Sequence, residues 1–262
     1  MDLGIEGRVC VVTGASRGIG LATAKALTAE GARVLLAARS EEALSDAVEA
    51  VGGEAAGLPV DVTSADASDA IVGECTRRFG CVDVLVNNAG TSRGRALEEL
   101  TDEEWDEQWD LHVMASMRLM RAAIPGMVER GWGRVVNVGS SSGKRPSLSN
   151  AAYSVSKAAQ LALSRVFADT YADKGVLVNA VAPGPVETPL WMADGGLADQ
   201  AAERGGVTRE EALEAARGKI PIGRFGRDDE IAAVIAFLCS ERASDVVGST
   251  WSVDGGAVPL FI

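Results

Sequence analysis

Residues 13–20 read Thr13-Gly14-Ala15-Ser16-Arg17-Gly18-Ile19-Gly20 and separate a short apolar run, residues 8–13, from a segment of helical period, residues 19–30. Glycines permit a tight turn there and let a bound phosphate approach backbone N–H groups at the positive end of the helix. A glycine-rich turn alone is weak evidence, but its position between the first strand and the first helix is typical of nucleotide-binding α/β domains. The spacing, Gly-x-x-x-Gly-x-Gly, differs from the Gly-x-Gly-x-x-Gly of the standard dinucleotide fingerprint.

Short β-branched runs alternate with longer helical segments along the rest of the chain. The predicted strands are residues 8–13, 33–38, 54–60, 82–87, 134–138, 177–182 and 250–253, and the predicted helices are residues 19–30, 41–51, 65–79, 102–130, 152–174 and 228–239. This alternation is typical of βαβ units. It predicts an α/β fold: a single doubly wound Rossmann domain over residues 1–262, with a seven-stranded parallel sheet and helices on both faces.

One long irregular stretch, residues 188–226, interrupts this pattern. A stretch of that length inside a compact domain is usually a functional lid or carries short helices of its own. We expect a substrate lid there, with a short helix at residues 208–216, because Thr208-Arg209-Glu210-Glu211 has the form of a capping box. Its large apolar side chains fit a pocket wall, and equally a core or subunit contact: Trp191, Met192 and Leu197.

Composition narrows the class of partner. The chain has 262 residues, 25 basic against 37 acidic, and a formal charge of −12, which would repel nucleic acids and anionic membrane surfaces. Residues 1–6 show neither the basic region nor the apolar region of a secretory signal, so none is expected. The longest apolar-rich stretch, residues 175–186, is too short and too broken to span a bilayer. The four cysteines form no Cys-x-x-Cys pair and are expected to be reduced core thiols. A cytoplasmic location, without a nucleic-acid or membrane partner and without a metal site, is the expectation.

Further motifs follow the glycine turn in chain order, each at the end of a predicted strand or on the helix beyond it. They are Asp61-Val62, Asn87-Asn88-Ala89-Gly90, Ser140, Tyr153-x-x-x-Lys157, Pro183-Gly184 with Val186 and Thr188, and Val253-Asp254-Gly255-Gly256. In this set and order the sequence resembles the short-chain dehydrogenase/reductase family, and within it the members similar to 3-oxoacyl-acyl-carrier-protein reductases. The resemblance covers almost the whole chain.

The resemblance implies a nicotinamide dinucleotide bound at the carboxyl ends of the strands, where open parallel sheets bind ligands. Asp61 would accept from the adenine amino group, although an ordinary helix N-cap is the other interpretation. Residues 87–90 would approach the ribose, or else form a plain strand-ending turn. The implied cofactor-binding residues are Gly14, Ser16, Arg17, Gly18, Ile19, Gly20, Arg39, Asp61, Val62, Asn88, Ala89, Gly90, Tyr153, Lys157, Pro183, Gly184, Val186 and Thr188.

The end of the second strand favours NADP(H) over NAD(H). Enzymes selective for NAD usually carry an acidic residue there, which binds the ribose hydroxyls. This chain reads Ala37-Ala38-Arg39-Ser40, and Arg39 with Arg17 would clamp a 2′-phosphate by charge-assisted hydrogen bonds. Alternatively, both arginines are solvated surface charges. Binding of NAD(H) therefore remains an alternative.

Tyr153 and Lys157 are four residues apart on a predicted helix and therefore share one face. A free phenol has a pKa of about 10, and a neighbouring ammonium is expected to lower it toward the working range for proton transfer. By resemblance, Tyr153 is the proton-transfer group, Lys157 tunes it and holds the nicotinamide ribose, and Ser140 steadies the substrate oxygen. Ser141 and Ser142 adjoin Ser140, so that assignment rests on family spacing.

His112, the only histidine, stands where the family pattern has an asparagine. That asparagine holds a water in a proton relay behind the lysine. Histidine can both donate and accept, so it can replace the asparagine, and a pKa near 6.5 would make activity pH-sensitive. A hydrogen-bonded helix residue without a chemical role is the alternative.

These observations predict an NADP(H)-dependent oxidoreductase that reversibly reduces a ketone to a secondary alcohol. The alternatives are an NAD-dependent secondary-alcohol dehydrogenase and a cofactor-binding regulatory protein without turnover, which only His112 favours. Candidate substrates range from acyl-thioester ketones through cyclic ketones and steroids to sugars. The family resemblance implies a homotetramer, with the apolar tail, residues 255–262, near a subunit boundary.

Overall fold

A computed structural model describes residues 2–259, so Leu260, Phe261 and Ile262 of the apolar tail lie outside the described residues. Seven parallel strands form one sheet in the order β3-β2-β1-β4-β5-β6-β7. The strands are β1 (Val9–Thr13), β2 (Arg33–Ala38), β3 (Ala55–Pro59), β4 (Val84–Asn87), β5 (Gly133–Val138), β6 (Val176–Pro183) and β7 (Thr250–Val253). The predicted fold class is confirmed, and each predicted strand agrees with the observed one to within two residues.

Eleven α-helices of the described chain connect and flank these strands. They are α1 (Gly18–Ala29), α2 (Glu41–Val51), α3 (Ala67–Phe79), α4 (Asp102–Trp109), α5 (Ala115–Glu129), α6 (Ser141–Lys144), α7 (Ala151–Tyr171), α8 (Pro189–Met192), α9 (Leu197–Gly205), α10 (Arg209–Arg217) and α11 (Asp228–Leu238). Three 3₁₀ turns cover Leu97–Glu99, Ala172–Lys174 and Glu241–Ala243.

The sheet is buried on both faces, because successive side chains of each strand enter opposite cores. In β1, Cys10 and Val12 enter the core under α1, α2 and α11, whereas Val9 and Val11 enter the core under α3, α5 and α7. Strands buried on both faces favour near-continuous apolar runs, as the sequence shows. The strand order reverses between β1 and β4, and the crevice at this switch point is where such sheets bind ligands.

The helix predicted over residues 102–130 is not continuous. A π-helical turn, Asp110–Met114, separates α4 from α5 and contains His112. Such turns are rare and widen the helix locally, which changes the direction in which a side chain points. Period alone did not predict it, because the apolar repeat continues across the turn.

Residues 188–226 contain three short helices, α8, α9 and α10, and the predicted capping box begins α10. Thr208 Oγ1 accepts from the backbone N–H of Glu211, while the Glu211 carboxylate accepts from the N–H of Thr208. The two ends of the segment are joined, since Glu187 N–H donates to Gly226 O and Gly226 N–H donates to Pro185 O, both at 2.9 Å. The segment is therefore a closed excursion from the end of β6.

A small apolar core holds this excursion together. Ala198, Leu213 and Phe225 are buried, and Trp191 and Met192 pack against them. The rings of Trp191 and Phe225 meet edge to face, with centroids 5.1 Å apart. The sequence left open whether these apolar residues form a pocket wall or a core or subunit contact. Trp191 and Met192 form a core contact.

No helix within residues 2–259 combines the length and the hydropathy required to cross a membrane. The same part of the chain contains no cluster of three or more His, Cys, Asp or Glu side chains able to hold a metal ion.

Candidate active site

The glycine turn between β1 and α1 depends on glycine for both conformation and space. Gly14 has φ +62° and Gly18 has φ +54°, a region that other residues rarely adopt. At Gly20 a Cβ would lie 2.4 Å from the carbonyl oxygen of Gly14 and 2.5 Å from Asn88 Nδ2. The turn is thus packed tightly against α1, as a bound phosphate requires.

The segment after β4 supports the turn from the other side of the crevice. Asn88 Nδ2 donates to the Thr13 and Gly14 carbonyls at 2.9 and 3.2 Å, and the N–H groups of Asn88 and Ala89 donate to Thr13 Oγ1. The structure brings Asn88 and Ala89 beside the glycine turn. The amide nitrogen of the Asn88 side chain is therefore committed to holding the glycine turn.

The amino end of α1 is suited to an anion. Its flanking residue, Arg17, provides no side-chain cap, and no acidic residue stands in the first turn, so the first N–H groups and the helix dipole are not compensated locally. Arg17 and Arg39 are exposed. Neither joins an ion pair within residues 2–259, and both are therefore available to a phosphate.

Asp61 follows β3 and is not the N-cap of the next helix. The N-cap of that helix, α3, is Asp66. Its Oδ1 accepts from the N–H and the hydroxyl of Thr63, at 3.0 and 2.8 Å. The Thr63 N–H is the largest cause of a lowered pKa at Asp61, with a smaller contribution from the charge on Arg39. Asp61 is therefore an ionised acceptor, and its neighbour Val62 is buried in the core.

The remaining predicted cofactor residues lie around the same crevice. Pro183 ends β6, and Gly184 packs against Asp254, where a Cβ would lie 2.9 Å from the Asp254 Cα. Val186 is buried, and Thr188 lies next to the glycine turn, since a Cβ on Gly18 would be 3.3 Å from it. In the turn itself, Ser16 is half-buried and Ile19 packs partly against the core.

Ser140, Tyr153 and Lys157 meet at the carboxyl end of β5. Ser140 follows the strand and caps α6, accepting from the Ser142 N–H at 3.1 Å, and of the three serines it alone is among the causes of the Tyr153 pKa shift, which it lowers. Lys157 Nζ lies 5.8 Å from the centroid of the Tyr153 ring. The structure thus favours Ser140 over its two serine neighbours.

The expectation that Lys157 lowers the pKa of Tyr153 is wrong. Burial raises the pKa of Tyr153, and only the Ser140 hydroxyl opposes this. Burial also lowers the pKa of Lys157 to about 7. The charge of Lys157 is not among the causes of the Tyr153 shift, and the phenol stays protonated at neutral pH.

His112 is fully buried beside this pair. The Ser156 hydroxyl donates to the Tyr153 carbonyl at 2.9 Å and lies 2.9 Å from His112 Nδ1, so Ser156 is hydrogen-bonded to the imidazole ring as well. The other ring nitrogen, Nε2, has no hydrogen-bond partner among residues 2–259. Burial, then the charge on Lys157, hold the pKa of His112 well below 6.5, so the predicted titration near that pH is wrong.

Sequence reasoning missed three polar residues of this site: Ser116, Ser156 and Gln160. Lys157 Nζ donates to Gln160 Oε1 at 3.0 Å and to the Val138 carbonyl at 2.8 Å. Gln160 Nε2 donates to Ser116 Oγ at 2.8 Å. Gln160 lies three residues beyond Lys157 on the same helix, and a polar residue on that inward face was the available signal.

Comparisons with known proteins agree with this geometry. A family model described as enoyl-(acyl carrier protein) reductase matches residues 14–258. The chain is 35% identical to the 3-oxoacyl-[acyl-carrier-protein] reductase FabG of Vibrio cholerae over 97% of this chain and 98% of that protein. It is 40% identical to the monensin polyketide synthase putative ketoacyl reductase of Streptomyces virginiae, over 95% and 96%.

Solved structures are similar over the same span. L-sorbose reductase from Gluconobacter frateurii, complexed with NADPH and L-sorbose, matches with a TM-score of 0.93 and 37% identity, covering 100% of both chains. A variant of actinorhodin polyketide ketoreductase with NADPH matches with a TM-score of 0.92 and 37% identity over 97% of this chain and 98% of that one. Fold, motif order and full-length similarity agree, and the chain belongs to the short-chain dehydrogenase/reductase family.

Proposed function

We propose that this protein is an NADP(H)-dependent reductase that converts a ketone to a secondary alcohol, reversibly. The observation that carries the proposal is the convergence of Ser140, Tyr153 and Lys157 at the carboxyl end of β5, on the same edge of the sheet as the glycine turn. A hydroxyl, a protonated phenol and a buried amine around one crevice are the groups that carbonyl reduction needs.

The residues of the crevice fit a dinucleotide. The space left by Gly14 and Gly20 and the open amino end of α1 suit a pyrophosphate, and the exposed cations Arg17 and Arg39 suit a 2′-phosphate. Asp61 suits the adenine amino group, and Lys157 would hold the nicotinamide ribose. When bound, NADPH supplies the hydride.

The chain's own residues supply positioning and the proton. Ser140 would hold the carbonyl oxygen, and Tyr153 would give that oxygen a proton as negative charge develops on it. Tyr153 is protonated at neutral pH and so has the proton to give, while its raised pKa makes it a weaker acid than a free phenol. His112 would orient the Tyr153 backbone through Ser156.

Substrate choice is proposed from the relatives. Their names point to two ketone classes, 3-oxoacyl thioesters and ketoses, and the residues 188–226 would form the lid over either. α9 of this lid contacts the opposite loop, where Gly94 N–H donates to Gln200 Oε1 at 2.8 Å. This contact supports a lid that closes from α9 toward the loop at Gly94.

A cofactor-oxidation assay tests the proposal. NADPH absorbance is followed with a 3-oxoacyl thioester, L-sorbose, a cyclic ketone and a 2-enoyl thioester, the last because the family model is described as an enoyl reductase. We expect turnover with at least one ketone and faster oxidation of NADPH than of NADH. If only the enoyl thioester is reduced, the protein is an enoyl reductase and the proposed ketone reduction is rejected. NADH preference would favour the NAD-linked dehydrogenase, and tight cofactor binding without turnover on a broad panel would favour a regulatory protein.

We further infer a cytoplasmic homotetramer, as the family resemblance implies. Exposed apolar side chains support association, including Val166 at 61% and Trp251 at 37% exposure. Light scattering measures the assembly directly, and a monomeric mass would reject it.

A further inference from the structure

Gln160 forms the buried end of a hydrogen-bond chain that begins at the catalytic-site lysine. Its side chain is 1% exposed, and its Oε1 accepts from Lys157 Nζ at 3.0 Å. Its Nε2 donates to Ser116 Oγ at 2.8 Å, and the Ser116 hydroxyl donates to the carbonyl of His112 at 2.8 Å. The carboxamide of Gln160 therefore cannot rotate by 180° without placing its NH₂ group against the amine of Lys157.

Lys157 has few other means of compensating its burial. It is 3% exposed, and within residues 2–259 no carboxylate forms an ion pair with it. The titratable groups that face it are Tyr153, from its own helix, and His112, from the π-helical turn, and both are neutral at neutral pH. Its hydrogen-bond acceptors are two neutral oxygens, of Val138 and of Gln160.

We propose that Gln160 is a positioning residue that favours the charged form of Lys157 and fixes the direction of its amine in the site. A hydrogen bond to a charged group stabilises the charged form more than the neutral one. Two N–H groups of Lys157 Nζ are bonded to Val138 and Gln160, and the third is left for the crevice beside Gly90. A Cβ added to Gly90 would lie 3.6 Å from Nζ. The consequence for catalysis rests on the proposed function, but the effect on the charge of Lys157 does not.

The charge of Lys157 is measurable without cofactor or substrate. The chain has five lysines, so ¹³Cε labelling gives few signals, and Lys157→Ala assigns the relevant one: Lys25, Lys144, Lys157, Lys174 and Lys219. A pH titration followed by NMR then reports the pKa of Lys157 in each variant of the full-length protein.

Two substitutions at Gln160 are expected to move this titration in opposite directions. Gln160→Leu removes an acceptor from the ammonium and should lower the pKa of Lys157 by about one unit, whereas Gln160→Glu adds a negative acceptor and should raise it by a similar amount. Ser116→Ala, which keeps the carboxamide but removes its support, should give a smaller downward shift. Ser116→Ala therefore still tests the proposal if a Gln160 variant does not fold.

Ser164→Ala is the matched control. Ser164 is buried one turn further along α7, accepts from Asn137 Nδ2 and donates to the Gln160 carbonyl, but its hydroxyl does not touch the carboxamide of Gln160. We expect a lower melting temperature with an unchanged Lys157 titration. A packing role for Gln160 would likewise lower stability without opposite shifts.

Opposite shifts in the two Gln160 variants support the proposal. The same titration in both variants and in the wild type, or shifts of one sign, would overturn it. In active protein, the alkaline limb of kcat/KM should follow the NMR shifts. A wild-type protein that reduces no ketone rejects the proposed function, while the titration still tests Gln160.

Discussion

The imidazole of His112 stands edge-on to the phenol ring of Tyr153, with ring centroids 5.3 Å apart and an interplanar angle of 86°. The same imidazole is hydrogen-bonded to Ser156, whose hydroxyl donates to the Tyr153 carbonyl. One buried side chain therefore supports the tyrosine through both its ring and its backbone. Its place in the π-helical turn makes this possible.

His112→Asn should lower kcat about tenfold, because the ring contact with Tyr153 is lost and the bond to Ser156 is strained. The shape of the pH profile should not change. Since the pKa of His112 lies well below 6.5, the ring is already neutral when activity is measured near neutral pH. Initial rates across pH check this, and an acid limb near 6.5 that disappears in the variant would contradict it.

Tyr153→Phe should bind NADPH normally and lose about a thousandfold in kcat, since the proton donor is removed while the ring remains. The chain's other tyrosine provides the control. Tyr171→Phe, with Tyr171 packed on Phe167 away from the crevice, should retain activity. Steady-state rates with cofactor titrations measure both variants, and an unchanged rate in Tyr153→Phe would reject the mechanism.

Arg39→Ala should weaken NADPH binding about tenfold or more and leave NADH binding nearly unchanged, because only NADPH carries a 2′-phosphate. Calorimetric titration with both cofactors measures the ratio. Arg121→Ala is the control, since Arg121 is exposed on α5 and contacts only Met117 through a hydrogen bond. Equal losses for the two cofactors would show that Arg39 does not contact the phosphate.

Gly20→Ala should abolish cofactor binding and lower the melting temperature, because the new Cβ would meet the Gly14 carbonyl at 2.4 Å and cannot be relieved by a side-chain rotation. Gly73→Ala is the matched control in α3, where no atom lies within 4 Å of the added Cβ. It should stabilise the fold by about 0.5–1 kcal/mol through helix propensity. Thermal melts and cofactor titrations distinguish the two, and normal binding by Gly20→Ala would refute the tight turn.

The sequence by itself determined the parts of this protein that depend on local pattern. Apolar runs and helical periods are properties of neighbouring residues, so they predicted the seven strands and the doubly wound sheet. The glycine turn and the Tyr153-x-x-x-Lys157 pair have fixed short spacings, so their positions at the crevice followed from the strand order.

Tertiary structure decided what depends on burial and on residues distant in the chain. Gln160 and Ser116 are 44 residues apart, and no local pattern predicts their bond. The sign of the Tyr153 pKa shift was mispredicted because spacing reveals a neighbouring charge but not the loss of solvent around it. Desolvation is a property of the assembled core, and it decides how Tyr153, Lys157 and His112 are protonated.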